Sequence, residues 1–102
     1  MSSSRDRLTQ ALTASSDDVL RFFLRRLERE DAADALAEVM TIAWQRVDAL
    51  PAASDESRMW LFGIARNVLL HTQRTHARRS QLADRLRSTL ALQPGVEVGR
   101  HV

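Results

Sequence analysis

Apolar residues recur at three- and four-residue spacing through most of the chain, and nowhere do they alternate with polar residues. This spacing places them on one face of an α-helix, whereas alternation is typical of a β-strand. Glycine and proline, which interrupt helices, are scarce, with three and two occurrences. The pattern therefore predicts an all-α protein with four helical segments and no strand.

The first helix is predicted over about residues 16–29, with Ser15 and Asp18 forming a capping box at its start. Its apolar stripe consists of Leu20, Phe23, Leu24 and Leu27. The first fourteen residues are mostly polar, and we expect residues 1–14 to be a flexible segment ahead of a helical domain over 15–92.

The second helix is predicted over about residues 32–49, with Asp31 as N-cap and Asp34 in its first turn. Pro51 ends it, because the residue before a proline is pushed out of the helical region. We expect Met40 and Trp44 to pack in the core as part of its stripe. The stripe consists of Leu36, Val39, Met40, Ala43, Trp44, Val47 and Leu50.

The third helix is predicted from about Glu56 to Arg79, after a polar loop in which Ser54 or Asp55 provides the cap. Its inward stripe consists of Leu61, Ile64, Ala65, Val68 and Leu69. A weaker fourth segment covers about residues 80–92, with leucines four apart. The predicted fold is a compact three-helix bundle plus this C-terminal helix, and residues 93–102 are expected to be a tail or the start of an interdomain linker.

The composition narrows the functional classes. A chain of 102 residues suffices for one domain, and the absence of cysteine excludes disulfides and thiolate metal sites. There is no signal-peptide pattern and no apolar run of about 20 residues, so we expect a cytoplasmic protein. No nucleophile arrangement or glycine-rich phosphate loop is present, and His71 and His76 lack the spacing of a zinc motif. We therefore expect neither an enzyme nor a metal or cofactor.

Charge is unevenly distributed along the chain. Residues 1–57 contain seven Arg and eleven Asp or Glu, whereas residues 58–87 contain seven Arg and the single acid Asp84. One interpretation of the basic segment is a solvated helix face, but such a face usually mixes charges of both signs. The other is a surface for a polyanion, on which arginines neutralise phosphates and the amide of Asn67 reaches a base edge.

Two stretches carry a resemblance to a known family. DAADALAEVMTIAWQRVDAL, over 31–50, is followed by ESRMWLFGIARNVLLHTQRTHARR, over 56–79. Together they resemble region 2 of the extracytoplasmic-function (group 4) sigma factors of bacterial RNA polymerase. WLFGIARN with its basic continuation is the most specific part, and the resemblance extends over about Val19 to Arg79.

The resemblance implies that the second helix docks on the clamp helices of the polymerase β′ subunit. Its polymerase-binding residues are then Asp34, Ala37, Glu38 and Thr41, with Met40 and Trp44 at the edge. It also implies that the loop and the third helix recognise the promoter −10 element and capture a flipped base of the non-template strand. Ala52 to Ser57 then help to form the base pocket, and an anti-sigma factor is an expected partner. The implied DNA-binding residues are Arg66, Asn67, His71, Arg74, Arg78 and Arg79.

The sequence departs from the family pattern in three places. Ala37 replaces the usual glutamine, and Gly63 replaces a large polar or basic residue. The chain also ends soon after region 2, without the region 4 that reads the −35 element, and we expect either an excised domain or a member that lacks region 4. Trp60 matches the family tryptophan, and we expect it to lie between helices rather than to stack on a base.

Two other functions are compatible with the sequence. One is a helical protein-interaction module that engages the polymerase or an anti-sigma factor through its acidic half, without specific DNA recognition. The other is an unrelated basic bundle that binds nucleic acid nonspecifically, for which affinity falls steeply with salt and does not depend on sequence.

Overall fold

The computed structural model describes residues 3–92 and contains three α-helices in chain order. Helix α1 covers Ser4–Leu24, α2 covers Arg29–Gln45 and α3 covers Ser54–Ala91, with a 3₁₀ turn at Val47–Ala49 between α2 and α3. No strand occurs in the described part of the chain, so the predicted all-α class is confirmed. None of the described helices is long and apolar enough to cross a membrane.

The chain divides into two compact units, one ending at His71 and the other beginning at Thr72. The first unit contains the hydrophobic core, to which all three helices contribute. The stripe predicted for the third helix is buried in full. The buried apolar residues are Leu8, Val19, Phe23, Ala32, Ala35, Val39, Ala43, Leu50, Leu61, Ile64, Ala65, Val68 and Leu69.

Helix α1 begins twelve residues earlier than the predicted start at Ser16, so the prediction of a flexible segment is wrong for residues 4–14. Its N-cap is Ser3, whose hydroxyl accepts a hydrogen bond from the backbone N–H of Asp6 at 3.1 Å. The predicted capping box at Ser15 and Asp18 is therefore wrong, and Ser15 is buried inside the helix. Leu8 explains the extension, because its side chain is fully buried in the core.

Helix α2 also begins earlier than predicted, at Arg29, with Glu28 as an N-cap that makes no side-chain capping bond. Asp31 is therefore a first-turn residue rather than the cap, and Asp34 lies beyond the first turn. Trp44, predicted to be in the core, is exposed, and the guanidinium of Arg5 lies 5.6 Å from its ring centroid. Leu24 of α1 is exposed as well, at 45%.

The predicted third and fourth helices are one continuous helix, because α3 extends from Ser54 to Ala91. No helix-breaking residue lies near position 80, where the sequence-based boundary falls. Within the described residues of the second unit, no side chain is buried, and Leu82 and Leu86 are 66% and 58% exposed. The predicted tail or linker over 93–102 lies outside the described residues.

Candidate nucleic-acid interface

A cleft of about 580 Å³ lies between helix α1 and the beginning of α3, and we name it the α1–loop cleft. The residues that line it combine small side chains with two arginines, one on each helix. Its lining consists of Arg7, Gln10, Ala11, Ala14, Ser15, Ala52, Ser54, Ser57 and Arg58. The volume falls in the range of about 300–1,000 Å³ that is typical of ligand pockets.

Hydrogen bonds hold the loop at the edge of this cleft. The carbonyl of Pro51 accepts one bond from the Arg7 guanidinium and another from the Ser57 hydroxyl, each 2.9 Å long. Ser57 is 7% exposed, so its bond to Pro51 is shielded from water. The loop is thereby attached to α1 and to α3 at the same carbonyl oxygen, which fixes the edge of the cleft before any ligand binds.

The cleft includes three of the residues that the sequence placed in a base pocket, namely Ala52, Ser54 and Ser57. The opposite wall, from Arg7 to Ser15, belongs to α1 and was missed because most of it was assigned to a flexible segment. The sequence nevertheless indicates that this wall is helical. Leu8 lies three helical turns before Val19, on the same helix face, and so extends the apolar stripe of α1 towards its beginning.

A second cleft, of about 200 Å³, lies between α2 and α3 and is named the α2–α3 cleft. It brings together Glu38, predicted to bind polymerase, with Asn67 and His71, predicted to bind DNA. Arg46 adds a cation to the same lining, and all four of these side chains are exposed. Two surfaces that the sequence assigned to different partners are therefore adjacent in the first unit.

The six predicted DNA-binding residues are all exposed on helix α3. Arg66, Asn67 and His71 belong to the first unit, and Arg66 does not line the α2–α3 cleft. Arg74, Arg78 and Arg79 belong to the second unit. Within that unit Arg74 and Arg78 are four residues apart, which places them on one face of the helix.

The four predicted polymerase-binding residues share an exposed face of α2. Asp34 lies three and four residues before Ala37 and Glu38, and Thr41 lies four and three residues after them, which places all four on one face, and each of them is exposed. The Thr41 hydroxyl donates a hydrogen bond of 3.0 Å to the carbonyl of Ala37, so the threonine is bonded within its own helix. Because the buried residues of α2 are on the other side, substitutions on this face leave the core intact.

Trp60 and Gly63 line neither the α1–loop cleft nor the α2–α3 cleft. Trp60 is partly buried and packs against the core, in agreement with the expected position between helices. Gly63 is exposed, and a Cβ added to it meets nothing within 4 Å. The glycine is therefore not required for close packing inside this chain.

No group of three or more His, Cys, Asp or Glu within residues 3–92 is arranged to hold a metal ion.

A comparison with curated proteins and with solved structures finds no significant match. A family model, described as Sigma-70 region 2, matches residues 12–79, which is two thirds of the chain. The match includes most of α1, all of α2 and the part of α3 that carries the predicted DNA-binding residues. The chain therefore belongs to the Sigma-70 region 2 family and has that family's role in transcription initiation, together with RNA polymerase.

Proposed function

We propose that this domain docks on RNA polymerase through α2 and recognises the promoter −10 element by capturing a flipped base of the non-template strand. The observation that carries the DNA-binding part is the α1–loop cleft, whose loop is bonded to both helices through the Pro51 carbonyl. In the proposed complex one base enters this cleft while arginines of α3 contact the backbone.

The cleft has the chemistry that a flipped base needs. Ala11 and Ala14 offer an apolar wall to the face of the base, and Gln10 offers an amide that can both donate and accept hydrogen bonds. Arg7 and Arg58 supply positive charge next to the adjoining phosphates. Flipping costs a few kcal/mol of unstacking and unpairing, and these contacts offset it without ATP or a metal.

The α2–α3 cleft, the arginines of α3 and the exposed face of α2 make the other proposed contacts. Asn67, in the α2–α3 cleft, reads a base edge, and His71 contacts the strand beside it. Arg66, Arg74, Arg78 and Arg79 contact the DNA, the last two through phosphates. The exposed face of α2 binds the clamp helices of the β′ subunit, and an anti-sigma factor is a further proposed partner.

A variant that fills the cleft tests this proposal. Ala14 is exposed on α1 and lines the α1–loop cleft, so Ala14→Phe occupies the space without disturbing the core. The measurement is fluorescence anisotropy of the whole chain with a library of single-stranded −10 oligonucleotides, and with abasic versions of the tightest binders. We expect the variant to lose the preference for a base over an abasic site and to keep the salt dependence of the affinity.

Ala33→Phe is the matched control, because Ala33 is an exposed helical alanine outside the α1–loop and α2–α3 clefts. It is expected to bind like the original chain. If the original chain binds all oligonucleotides equally at every salt concentration, specific recognition is wrong. The alternative is then a helical module that binds the polymerase or an anti-sigma factor without reading DNA.

A further inference from the structure

A third cleft, of about 300 Å³, lies between α1 and α3 in the first unit, and of the arginines around it only Arg58 belongs to a surface already assigned. We name it the arginine cleft. It is lined by four arginines, two phenylalanines and a single acid. These residues are Asp18, Arg21, Phe22, Arg25, Arg26, Arg58 and Phe62.

The one acid of the arginine cleft is already engaged by two of its arginines. One carboxylate oxygen of Asp18 accepts from Arg21 at 2.8 Å, and the other accepts from Arg58 at 2.9 Å. Arg25 and Arg26 add two further positive charges without a second acid in the lining. The cleft therefore has a surplus of positive charge, and an anionic ligand is the partner that such a surplus favours.

Aromatic rings orient two of the guanidinium groups. Arg26 lies 4.1 Å from the centroid of the Phe22 ring, and Arg58 lies 4.9 Å from that of Phe62. The two rings meet edge to face with centroids 5.9 Å apart. Stacking on a ring fixes the plane of a guanidinium while leaving N–H donors at its edge, and a planar fork of donors matches the oxygens of a phosphate.

Arg58 joins the arginine cleft to the α1–loop cleft, because it lines both. Along α1, and at the C-cap residue Arg25 that follows it, the lining residues of the two clefts lie on one face of the helix, beginning at Arg7. The eighteen residue steps from Arg7 to Arg25 span ~27 Å at ~1.5 Å per step. A strand that keeps the ~3.4 Å rise per nucleotide of stacked bases covers that length with about eight nucleotides, within the site sizes of about 4–16 nucleotides known for single-strand binding folds.

We propose that the arginine cleft binds the phosphate backbone of the nucleic-acid strand whose base enters the α1–loop cleft. This inference rests on the proposed function and adds to it a contact surface on α1, a helix to which no DNA contact had been assigned beyond the α1–loop cleft. An acidic peptide would also complement the positive charge of the arginine cleft. The continuity of this cleft with the α1–loop cleft through Arg58 favours a nucleic acid instead. The strand passes over Arg58 and then along Arg21 and Arg25.

The test uses Arg21→Ala/Arg25→Ala in the whole chain, because both residues are exposed and outside the core. Affinity is measured by anisotropy over a range of salt, with single strands of about 4 nucleotides, enough to follow α1 from Arg7 to Ser15, and of about 14 nucleotides. The slope of log affinity against log salt is negative. With the longer strand, we expect its magnitude to decrease by about 0.7 for each phosphate that the variant no longer neutralises, or about 1.4 in total. The shorter strand, which reaches only the α1–loop cleft, is expected to bind unchanged.

Two further variants separate this interaction from a general charge effect. Arg85→Ala/Arg87→Ala removes the same charge from exposed positions of the second unit and is expected to leave the slope unchanged. Arg21→Lys/Arg25→Lys keeps the charge and is expected to retain the slope. Equal decreases of the slope in the Arg21/Arg25 and Arg85/Arg87 alanine variants overturn the proposal.

The outcomes also distinguish this proposal from the proposed function. If base preference is absent but the slope falls as expected, base recognition is wrong and the backbone interaction stands. If base preference is present but the slope is unaffected, the backbone interaction is wrong. A glutamate-rich peptide that no longer binds to Arg21→Ala/Arg25→Ala, with DNA binding unaffected, identifies an acidic protein as the partner and overturns the proposal.

Discussion

Gly63 is an exposed glycine in the part of α3 that also supplies core residues. Glycine costs about 1 kcal/mol relative to alanine inside a helix, mainly through the backbone entropy that it loses on folding. Because an added Cβ meets nothing within 4 Å, Gly63→Ala introduces no clash. We expect it to raise the free energy of unfolding by about 1 kcal/mol and the melting temperature by about 4–8 °C, measured by circular dichroism.

The matched control for Gly63→Ala reverses the same exchange at another exposed helical position. Ala33→Gly in α2 is expected to lower stability by a similar amount. A loss of stability in Gly63→Ala contradicts the open surroundings of this position. A gain of stability with unchanged DNA affinity shows that the glycine is not needed for the approach of a strand.

Individual residues at the edge of a helix stripe were the hardest to predict. Ala43 and Trp44 are consecutive, so they differ by about 100° around α2. The structure places the small residue in the core and the large one outside it. Trp44 is covered on one side by Arg5, which the sequence placed in a flexible segment. Periodicity identifies the face of a helix, but burial at its margin depends on which neighbouring element lies there.

At the scale of whole elements, the first half of α1 is the main difference between sequence and structure. The positions Leu8, Ser15, Val19 and Phe23 are all buried and follow a helical period. Ser15 interrupts the apolar pattern, and the polar residues around Leu8 conceal its role. Helix α3 was easier to predict over Leu61 to Leu69 because its stripe is strictly apolar. Its continuity to Ala91 was missed because the leucines four apart at 82 and 86 suggested a separate helical segment, whereas both belong to α3 and are exposed.

The contribution of this half-helix is testable through Leu8, whose side chain is fully buried. Leu8→Ala leaves a cavity in the core and is expected to cost about 2–5 kcal/mol of unfolding free energy. Urea unfolding followed by circular dichroism measures the change. The same truncation at Leu82, which is 66% exposed, is expected to change stability by no more than about 0.5 kcal/mol.

If Leu8→Ala and Leu82→Ala lower the free energy of unfolding by the same amount, residues 4–14 do not pack on the core. The result also concerns function, because this half-helix supplies one wall of the α1–loop cleft. A destabilised start of α1 loosens Arg7 from Pro51, and the edge of the cleft then loses one of its two bonds.

Taken over the whole molecule, the acidic beginning and basic continuation of the chain predicted separate surfaces for polymerase and DNA. The described helices only partly separate them, because Glu38 of α2 adjoins Asn67 and His71 of α3 in the α2–α3 cleft. Sequence distance could not reveal this, since 29 positions separate Glu38 from Asn67. A change at Glu38 therefore affects the electrostatic potential at both proposed surfaces.

Glu38→Arg uses this proximity to separate the two binding activities. Glu38 is exposed, so the replacement leaves the core intact, but it places a positive charge on the face proposed to bind the β′ clamp helices. Because the replacement removes every contact that the Glu38 carboxylate makes in the proposed interface and reverses its charge, we expect affinity for a clamp-helix fragment to fall about tenfold or more, equivalent to about 1.4 kcal/mol. Affinity for single-stranded DNA is expected to be retained or raised, because an acid beside Asn67 is removed.

Asp48→Arg is the control, because Asp48 is an exposed acid in the 3₁₀ turn, outside the α2 face, and its replacement changes the net charge equally. Titration calorimetry with the clamp-helix fragment and anisotropy with DNA give the two affinities for each variant. If both variants weaken polymerase binding equally, overall charge rather than the α2 face determines docking. An unchanged clamp-helix affinity in Glu38→Arg rejects the docking face, because reversing a charge within an interface alters the affinity of that interface.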